Sequence, residues 1–184
     1  SEDGELFGEE YTLVAIADYI LQHKKGATVS NLSSTRALRD ITEKHGCTYF
    51  ASAVGEVNVV TMMKNEKAVI GGEGNGGIIV PDLHYGRDAL IGIALFLTHL
   101  AKTKMSSSAL RASYPAYFMS KKKMDLNANL SLSTIFEKMK NEFAAYPMND
   151  VDGLKIDFEN EWVHLRSSNT EPIMRIYTEA KTQA

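Results

Sequence analysis

The sequence predicts an α/β domain with a mixed, mostly parallel sheet and flanking helices, followed by a small α+β domain with an antiparallel sheet. Up to Lys104, short β-like runs alternate with helical periodicity, which is typical of the first class. The alternation then breaks at three consecutive serines and at Pro115. Beyond the break, one helical segment is accompanied by several extended runs. We therefore place the domains at residues 1–110 and 111–184.

Each element of the first domain has its own signal. Apolar residues at helical spacing predict a helix over residues 9–24, with Gly26 as its C-cap. Ser33 or Ser34 caps a second helix that Gly46 ends. Further helices are predicted at residues 55–64, with Val57, Val60, Met62 and Met63 facing inward, and at residues 87–102. Strands are predicted at residues 27–32, 47–51, 68–70 and 78–80.

The second domain follows a predicted hinge at residues 104–117. One helix is expected at residues 131–145. Extended runs are expected at residues 117–125, 154–158, 161–165 and 173–180. Their short connections favour an antiparallel sheet.

Composition excludes several classes of protein. The 184 residues are 44% hydrophobic and 23% charged, which is ordinary for a globular protein. A net charge of −3 gives no basic surface for nucleic acid or for a membrane. The single cysteine, Cys47, forms no intrachain disulfide. The chain starts without methionine and is acidic where a signal peptide is basic, so we expect an excised piece of a larger, cytoplasmic protein.

The most informative segment runs from Arg166 to Pro172 and is followed by Arg175. It lies between two β-like runs and carries two guanidinium groups, hydroxyl groups and an amide. A phosphate dianion is bound by such arginine forks, hydroxyl donors and turn amides. The segment therefore predicts a phosphate-binding loop. The alternative is a polar hairpin turn with two surface arginines.

A glycine-rich segment, Gly72-Glu73-Gly74-Asn75-Gly76-Gly77, predicts a second loop. It lacks the Lys-Ser/Thr of a nucleotide-binding P-loop, and a strand follows it instead of the helix of a Rossmann fold. Glu73 can accept hydrogen bonds from two sugar hydroxyls, and Asn75 can donate and accept. We interpret the segment as a polyol-recognition loop, with a flexible turn as the alternative.

Both motifs are similar to those of a known family. Arg-x-Ser-Asn-Thr-Glu-Pro-x-x-Arg resembles the phosphate-binding loop in the last domain of the α-D-phosphohexomutases. The glycine loop resembles the sugar loop of their third domain, Gly-Glu-x-Ser-Gly-His, with Asn75 in the Ser position and Gly77 in the His position. The resemblance covers the whole chain as the family's third and fourth domains.

Other residues of the first domain have two interpretations. The Val-Gly turn before Glu56 resembles one that faces the sugar, although Glu56 equally suits a helix N-terminus. Arg87 and Asp88 are predicted as an ion-pair residue and a helix cap, with a catalytic role as the alternative. The lysines from Lys121 to Lys123 are predicted to be solvated, with the steering of an anion as the alternative. No histidine spacing suits a metal, and Asp150 to Gly153 is predicted as a turn.

The resemblance implies an isomerase that moves phosphate between C1 and C6 of a hexose through a hexose 1,6-bisphosphate. It implies Mg²⁺ and a phosphoserine in the complete enzyme, but the Asp-x-Asp-x-Asp-Arg and Ser-His-Asn-Pro motifs are absent from this sequence. We therefore expect the missing N-terminal domains to carry catalysis and this fragment alone to be inactive. The implied phosphate ligands are Arg166, Ser168, Asn169, Thr170 and Arg175, and the implied sugar ligands are Glu73, Asn75 and Glu56.

The sequence leaves open which hexose phosphate is the substrate. Glucosamine phosphate is favoured, with mannose or glucose phosphate as alternatives. A second hypothesis is a stand-alone phosphosugar-binding module without catalysis.

Overall fold

The computed structural model describes residues 1–126, 131–168 and 171–183. It divides into two compact units, Ser1–Ala116 and Tyr117–Ala184. The boundary predicted at residues 110 and 111 lies inside a short helix of the first unit, Ser107–Ala112. Within the described residues, no helix is both long and apolar enough to cross a membrane.

The first unit is built around a four-stranded sheet. In chain order it contains α1 (Glu9–His23), β1 (Thr28–Asn31), α2 (Ala37–Lys44), β2 (Tyr49–Ser52), α3 (Glu56–Asn65), β3 (Ile70–Glu73), β4 (Gly77–Ile79), α4 (Ala89–Thr103) and α5 (Ser107–Ala112). The strand order is β2-β1-β3-β4. β1 is parallel to β2 and β3, and β4 is antiparallel to β3. The predicted mixed, mostly parallel sheet is confirmed.

The core of this unit packs both α1 and α3 against the sheet. All four residues of β1 are buried, as expected for a central strand that is covered on both faces. Helix α1 is buried over five consecutive residues, 13–17, and its large buried side chains include Leu13, Ile16 and Leu21. Burial of each such aliphatic side chain stabilises the fold by about 1.5–3 kcal/mol. Helix α1 packs against α2, α4 and β3, so it fixes the position of the sheet.

The prediction for the inward face of α3 was partly wrong. Val57 is 77% exposed, whereas Val59 and Met63 are fully buried. Residues four apart lie on one face of a helix, and residues two apart lie on nearly opposite faces. The face defined by Val59 and Met63 therefore turns Val57 outward. Val60 and Met62 are partly buried beside it.

The serines that interrupt the sequence pattern start a helix. Ser106 caps α5, because its side chain accepts a hydrogen bond from the backbone N–H of Ala109. Leu110 of α5 and the following Tyr114 are buried in the first unit. Six of the fourteen residues predicted as a hinge, 107–112, therefore form a helix.

The second unit is an antiparallel sheet with one helix. It contains β5 (Phe118–Asp125), α6 (Leu132–Glu142), β6 (Met148–Asn149), β7 (Leu154–Asp157), β8 (Glu161–Ser167) and β9 (Ile173–Ala180). The strand order is β5-β9-β8-β7-β6, and every neighbouring pair is antiparallel. This confirms the predicted sheet. Strand β6 was not predicted, because two residues are too few to show a period.

Trp162 occupies the centre of this sheet and is 1% exposed. Its indole N–H donates to Oε1 of Glu179 at 2.8 Å. Nζ of Lys155 lies 4.2 Å from the centre of its ring, which places a cation on the π face. Trp162 thus links β8 to its two neighbours, β9 and β7, in the buried part of the sheet.

Candidate functional site

Arg166 and Arg175 face each other across two strands of the second unit. Strand β8 runs to Ser167, so Arg166 belongs to the strand and not to the predicted loop. Arg166 pairs directly with Arg175 of β9. Directly opposed residues of an antiparallel pair project from the same face, with Cβ atoms about 4.5–5.5 Å apart. The two guanidinium groups therefore start from neighbouring points.

Backbone hydrogen bonds lie at the end of β8 and the start of β9, next to the two arginines. The backbone N–H of Ser168 donates to the carbonyl of Ile173 at 2.9 Å, and that of Ile173 donates to the carbonyl of Glu171 at 2.8 Å. Pro172 restricts the backbone between these contacts. Ser168 thus lies directly after β8, next to the arginine pair. Asn169 and Thr170, which were predicted as phosphate ligands, lie outside the described residues.

Each arginine has one long contact to a carboxylate. Nη1 of Arg166 lies 3.8 Å from Oδ2 of Asp152, and Nη2 of Arg175 lies 3.4 Å from Oε2 of Glu171. A strong charge-assisted hydrogen bond is about 2.7–2.9 Å long. In the described part of the chain, Nε of each arginine is buried and has no hydrogen-bond partner. The pair therefore retains positive charge and hydrogen-bonding capacity.

The strand register adds a third cation. Lys123 of β5 pairs with Arg175, so Lys123, Arg175 and Arg166 form one row across β5, β9 and β8. The neighbouring Lys122 pairs with Ile176 and projects from the opposite face, because side chains alternate along a strand. Both lysines are exposed. The strand register thus places Lys123, but not Lys122, in one row with the two arginines, a distinction that the sequence alone does not make.

The sequence predicted a turn at Asp152 but did not predict that this residue lies near the arginines. The ring Nε2 of His164 donates to the backbone carbonyl of Asp152 at 2.7 Å. Burial, the largest influence, lowers the pKa of His164, so the ring is neutral near pH 7. Gly153 has a φ of +80°, and a Cβ there would clash with the carbonyl oxygen of Leu165. These contacts hold the Asp152 turn against β8.

In the first unit, the polar residues collect at one edge of the sheet. Strands β1, β2 and β3 are parallel, so their carboxyl ends lie together at the edge where open α/β sheets bind ligands. Glu73 ends β3 and is 9% exposed. Its Oε1 accepts hydrogen bonds from Nδ2 of Asn31 at 2.8 Å and from the backbone N–H of Gly55 at 3.1 Å. Through these hydrogen bonds, Glu73 at the end of β3 contacts the end of β1 and the segment that follows β2.

The glycine-rich segment is a hairpin between β3 and β4. A Cβ on Gly72 would clash with the carbonyl oxygen of Gly77, so only glycine fits the paired strand. The backbone N–H of Gly74 donates to Oγ of Ser34 at 3.0 Å. Oδ1 of Asn75 accepts from the backbone N–H of Gly77 at 3.1 Å. The acceptor of Asn75 therefore shapes the turn, and its amide N–H groups remain for a ligand.

Glu56 begins α3 and forms an ion pair with Arg87. Its carboxylate accepts from Nε of Arg87 at 2.8 Å and from the backbone N–H of Arg87 at 3.2 Å. Asp88 caps α4 by accepting from Leu90 and Ile91, as predicted. These backbone N–H groups, that of Ile91 first, and His84 lower the pKa of Asp88.

The structure brings together some of the predicted sugar ligands. Glu56, Asn75 and Arg87 line one open pocket of about 440 Å³. Glu73, by contrast, is fixed at the sheet edge and is not among the described residues that line this pocket. Sequence reasoning missed the contacts of Asn31 and Ser34. A polar run after a buried strand was the signal that could have found them.

Comparison with protein families identifies the chain. Residues 8–117 match the model of the phosphoglucomutase/phosphomannomutase α/β/α domain III, and residues 122–184 match the model of the C-terminal domain of phosphoglucomutase/phosphomannomutase. The chain belongs to the phosphoglucomutase/phosphomannomutase family. The family resemblance inferred from the two motifs is thus confirmed.

Curated members of this family extend beyond the matched region. The chain is 31% identical to a phosphoglucomutase/phosphomannomutase of Thermococcus kodakarensis over 99% of its own length, which is 40% of that protein. It is 32% identical to a phosphoglucosamine/phosphogalactosamine mutase of Sulfurisphaera tokodaii over 84% of its length, which is 34% of that protein. The chain therefore spans well under half of these relatives.

Solved structures of the family have the same fold. A family protein from Burkholderia thailandensis superposes with a TM-score of 0.80 at 21% identity, over 100% of this chain and 40% of that one. An N-acetylphosphoglucosamine mutase of Aspergillus fumigatus, solved in complex with GlcNAc-6P and magnesium, superposes with a TM-score of 0.63 at 13% identity, over 95% of this chain and 43% of that one. A serine-to-alanine variant of the same enzyme has been solved with glucose 1,6-bisphosphate. At these identities the likeness concerns the fold alone.

Proposed function

We propose that the full-length protein is a phosphohexomutase, an isomerase that moves phosphate between C1 and C6 of a hexose phosphate. The present chain supplies substrate recognition. Arg166, Ser168 and Arg175, with Asn169 and Thr170, hold the phosphate that is not being transferred. Glu73, Asn75 and Glu56 orient the sugar hydroxyls.

The observation that carries this proposal is the direct cross-strand pairing of Arg166 with Arg175. Like charges directly opposite each other destabilise a sheet. A bound phosphate dianion relieves that repulsion and accepts hydrogen bonds from both guanidinium groups. The long contacts to Asp152 and Glu171 leave room for this exchange of partners, because neither is an optimal ion pair.

The first unit supports recognition of a polyol. Both hydrogen bonds that Glu73 accepts within the described residues fall on Oε1, which leaves Oε2 for a hydroxyl group. Asn75 contributes amide donors, and Glu56 lines the same pocket as Asn75. Acceptors and donors on adjacent segments suit neighbouring hydroxyls of one ring.

Within residues 1–126, 131–168 and 171–183, no group of three His, Cys, Asp or Glu side chains is placed to hold a metal ion, so the described residues offer no site for magnesium. In our proposal, the metal and the phosphoryl donor belong to the remainder of the full-length protein, and hexose 1,6-bisphosphate is its intermediate.

Phosphate binding by this chain can be measured directly. We expect the isolated 184-residue chain to bind glucosamine 6-phosphate in calorimetric titrations and to show no mutase turnover. Arg166→Ala removes charge-assisted hydrogen bonds worth about 1.5–3 kcal/mol, so the dissociation constant should rise about 10- to 150-fold. Arg39→Ala removes the same charge from α2 and serves as the control. Equal affinities for all three proteins would refute the clamp, and turnover by the chain alone would refute the division of roles.

The same titration separates the sugars. We propose glucosamine phosphate first, because the relatives include a phosphoglucosamine mutase and the pocket carries the carboxylate of Glu56. Glucose and mannose phosphates are the competitors. If the chain is instead a phosphosugar-binding module without catalysis, it would still bind these ligands. The full-length protein would then show no mutase activity.

A further inference from the structure

Helix α4 is apolar almost throughout, yet it is poorly covered. Residues 89–101 contain no Asp, Glu, Lys or Arg. Only Gly92 and His99 of this helix are buried. A helix that is apolar on all sides normally lies inside a protein. The exposed part of α4 therefore requires a partner.

The exposed apolar residues of α4 form one stripe. Leu90, Ile93 and Leu97 are 79%, 56% and 57% exposed. Their spacing of three and four residues places them on a single face of the helix. We call these three residues the α4 stripe. Isolated exposed leucines are common on protein surfaces, but a continuous apolar row on one helix marks an interaction surface.

The N-terminal segment of the chain extends the apolar surface. The ring of Phe7 packs edge-on against Phe96, with ring centres 4.8 Å apart. The preceding Leu6 is 93% exposed. A cavity of about 260 Å³ lies here, between Phe7 and the residues Ile93, Phe96 and Leu97 of α4. Gly76 and Ile78 of the glycine hairpin also line this cavity.

We propose that the α4 stripe is covered, in the full-length protein, by the domain that precedes this chain. The model that matches residues 8–117 describes a third domain, and the chain spans 40% of the length of the Thermococcus relative. Phe7, which directly precedes the residues that match the third-domain model, lies beside Ile93 and Leu97 of the stripe. A tethered domain therefore reaches it at high effective concentration, whereas a second copy does not. The absence of charge from the stripe favours an apolar partner surface.

This contact has a consequence for the glycine hairpin. Because Gly76 and Ile78 line the same cavity, a domain docked on the stripe packs against the hairpin that carries Glu73 and Asn75. The hairpin becomes more rigid when the preceding domain is present. The docking itself depends on family membership and not on phosphate binding, so either proposal can fail without the other.

Cysteine labelling tests the docking with a matched pair of sites. Leu90 and Val57 are each the second residue of a helix and are 79% and 77% exposed. Leu90→Cys and Val57→Cys are made in a Cys47→Ser background, both in the 184-residue chain and in the full-length protein. The rate of reaction with a thiol reagent is then measured for each. Light scattering reports whether the labelled protein is monomeric.

We expect both cysteines to react at similar rates in the 184-residue chain. In the monomeric full-length protein, Leu90→Cys should react at least about tenfold more slowly, while Val57→Cys is unchanged. Equal rates there would overturn the proposal. Protection that appears in the short chain, or only in oligomers and is lost on dilution, would assign the stripe to a second copy and would also overturn it. Leu97→Cys repeats the test if Leu90→Cys fails to fold.

Discussion

Arg166 of β8 and Arg175 of β9 are directly opposed partners in one antiparallel strand pair. Such a like-charge pair costs about 0.2–1 kcal/mol relative to neutral residues. Neither arginine has an ion pair short enough to neutralise it fully, and both Nε atoms are buried without a partner in the described part of the chain. The sheet thus carries an electrostatic cost, which a bound dianion would remove under the proposed function.

The first prediction concerns stability without ligand. Arg166→Gln should stabilise the second unit by about 0.2–1 kcal/mol in phosphate-free, low-salt buffer, because it removes the repulsion from Arg175. Trp162, the only tryptophan, is buried in the same strand, so its fluorescence reports urea unfolding of this unit. Added phosphate should stabilise the wild type and not the variant. A loss of stability in Arg166→Gln would contradict the prediction, and Arg39→Gln controls for net charge.

The second prediction compares two neighbouring lysines. Lys123 shares a row with Arg175 and Arg166, whereas Lys122 projects from the other face. Lys123→Ala should weaken binding of hexose phosphates about 2- to 5-fold, the effect of an exposed charge worth less than 1 kcal/mol, and the loss should shrink at high salt. Lys122→Ala has the same change in net charge and should bind as the wild type does. Identical titration curves for the two variants would exclude a role for the row.

The third prediction concerns Glu73. Glu73→Ala leaves the side chain of Asn31 and the N–H of Gly55 without their acceptor, which should lower the free energy of unfolding by about 1–3 kcal/mol. Glu73→Gln keeps an acceptor oxygen and should cost less. Both variants should change the preference among hexose phosphates, measured by calorimetry, while affinity for inorganic phosphate is unchanged. Unaltered sugar preference in both would remove Glu73 from the site.

The fourth prediction concerns pH and the partly buried carboxylate of Asp18. Burial alone would raise its pKa, but hydrogen bonds with His99, His45 and Tyr114 outweigh burial and hold the pKa well below its usual range. Nε2 of His45 lies 2.7 Å from Oδ1, and the hydroxyl of Tyr114 donates to Oδ2 at 3.2 Å. This carboxylate therefore stabilises the first unit above its unfolded pKa of about 3.9, and the contribution is lost as pH falls through the folded pKa.

Asp18→Asn should accordingly lower stability at pH 7 by about 1–3 kcal/mol. The difference from the wild type should narrow as pH falls below about 4. Thermal unfolding followed by circular dichroism measures both. Asp82→Asn, which alters a solvent-exposed carboxylate paired with Lys24, should have little effect at any pH. A gap between Asp18→Asn and the wild type that stays constant down to about pH 2 would show that ionisation of Asp18 is not the cause.

Sequence patterns predicted the two-part fold because helical and strand periods are local. They also identified the glycine hairpin and the arginine motif, whose residue types are unusual at such close spacing. The direct opposition of Arg166 and Arg175 was not predictable, since it depends on the register between two strands. The outward position of Val57 and the contact of Glu73 with Asn31 likewise depend on tertiary packing. The helix at Ser107–Ala112 was not predicted, because consecutive serines were interpreted as a break in the alternation of strands and helices. In the structure, Ser106 caps that helix.

The most direct test of the phosphate clamp is to follow the arginine side-chain N–H resonances by NMR while glucosamine 6-phosphate is added. We expect the Nε–H signals of Arg166 and Arg175 to shift together with one dissociation constant, while that of Arg39 stays in place. If the ligand binds and neither signal moves, or if only one of the two responds, the cross-strand arginine pair is not the phosphate site.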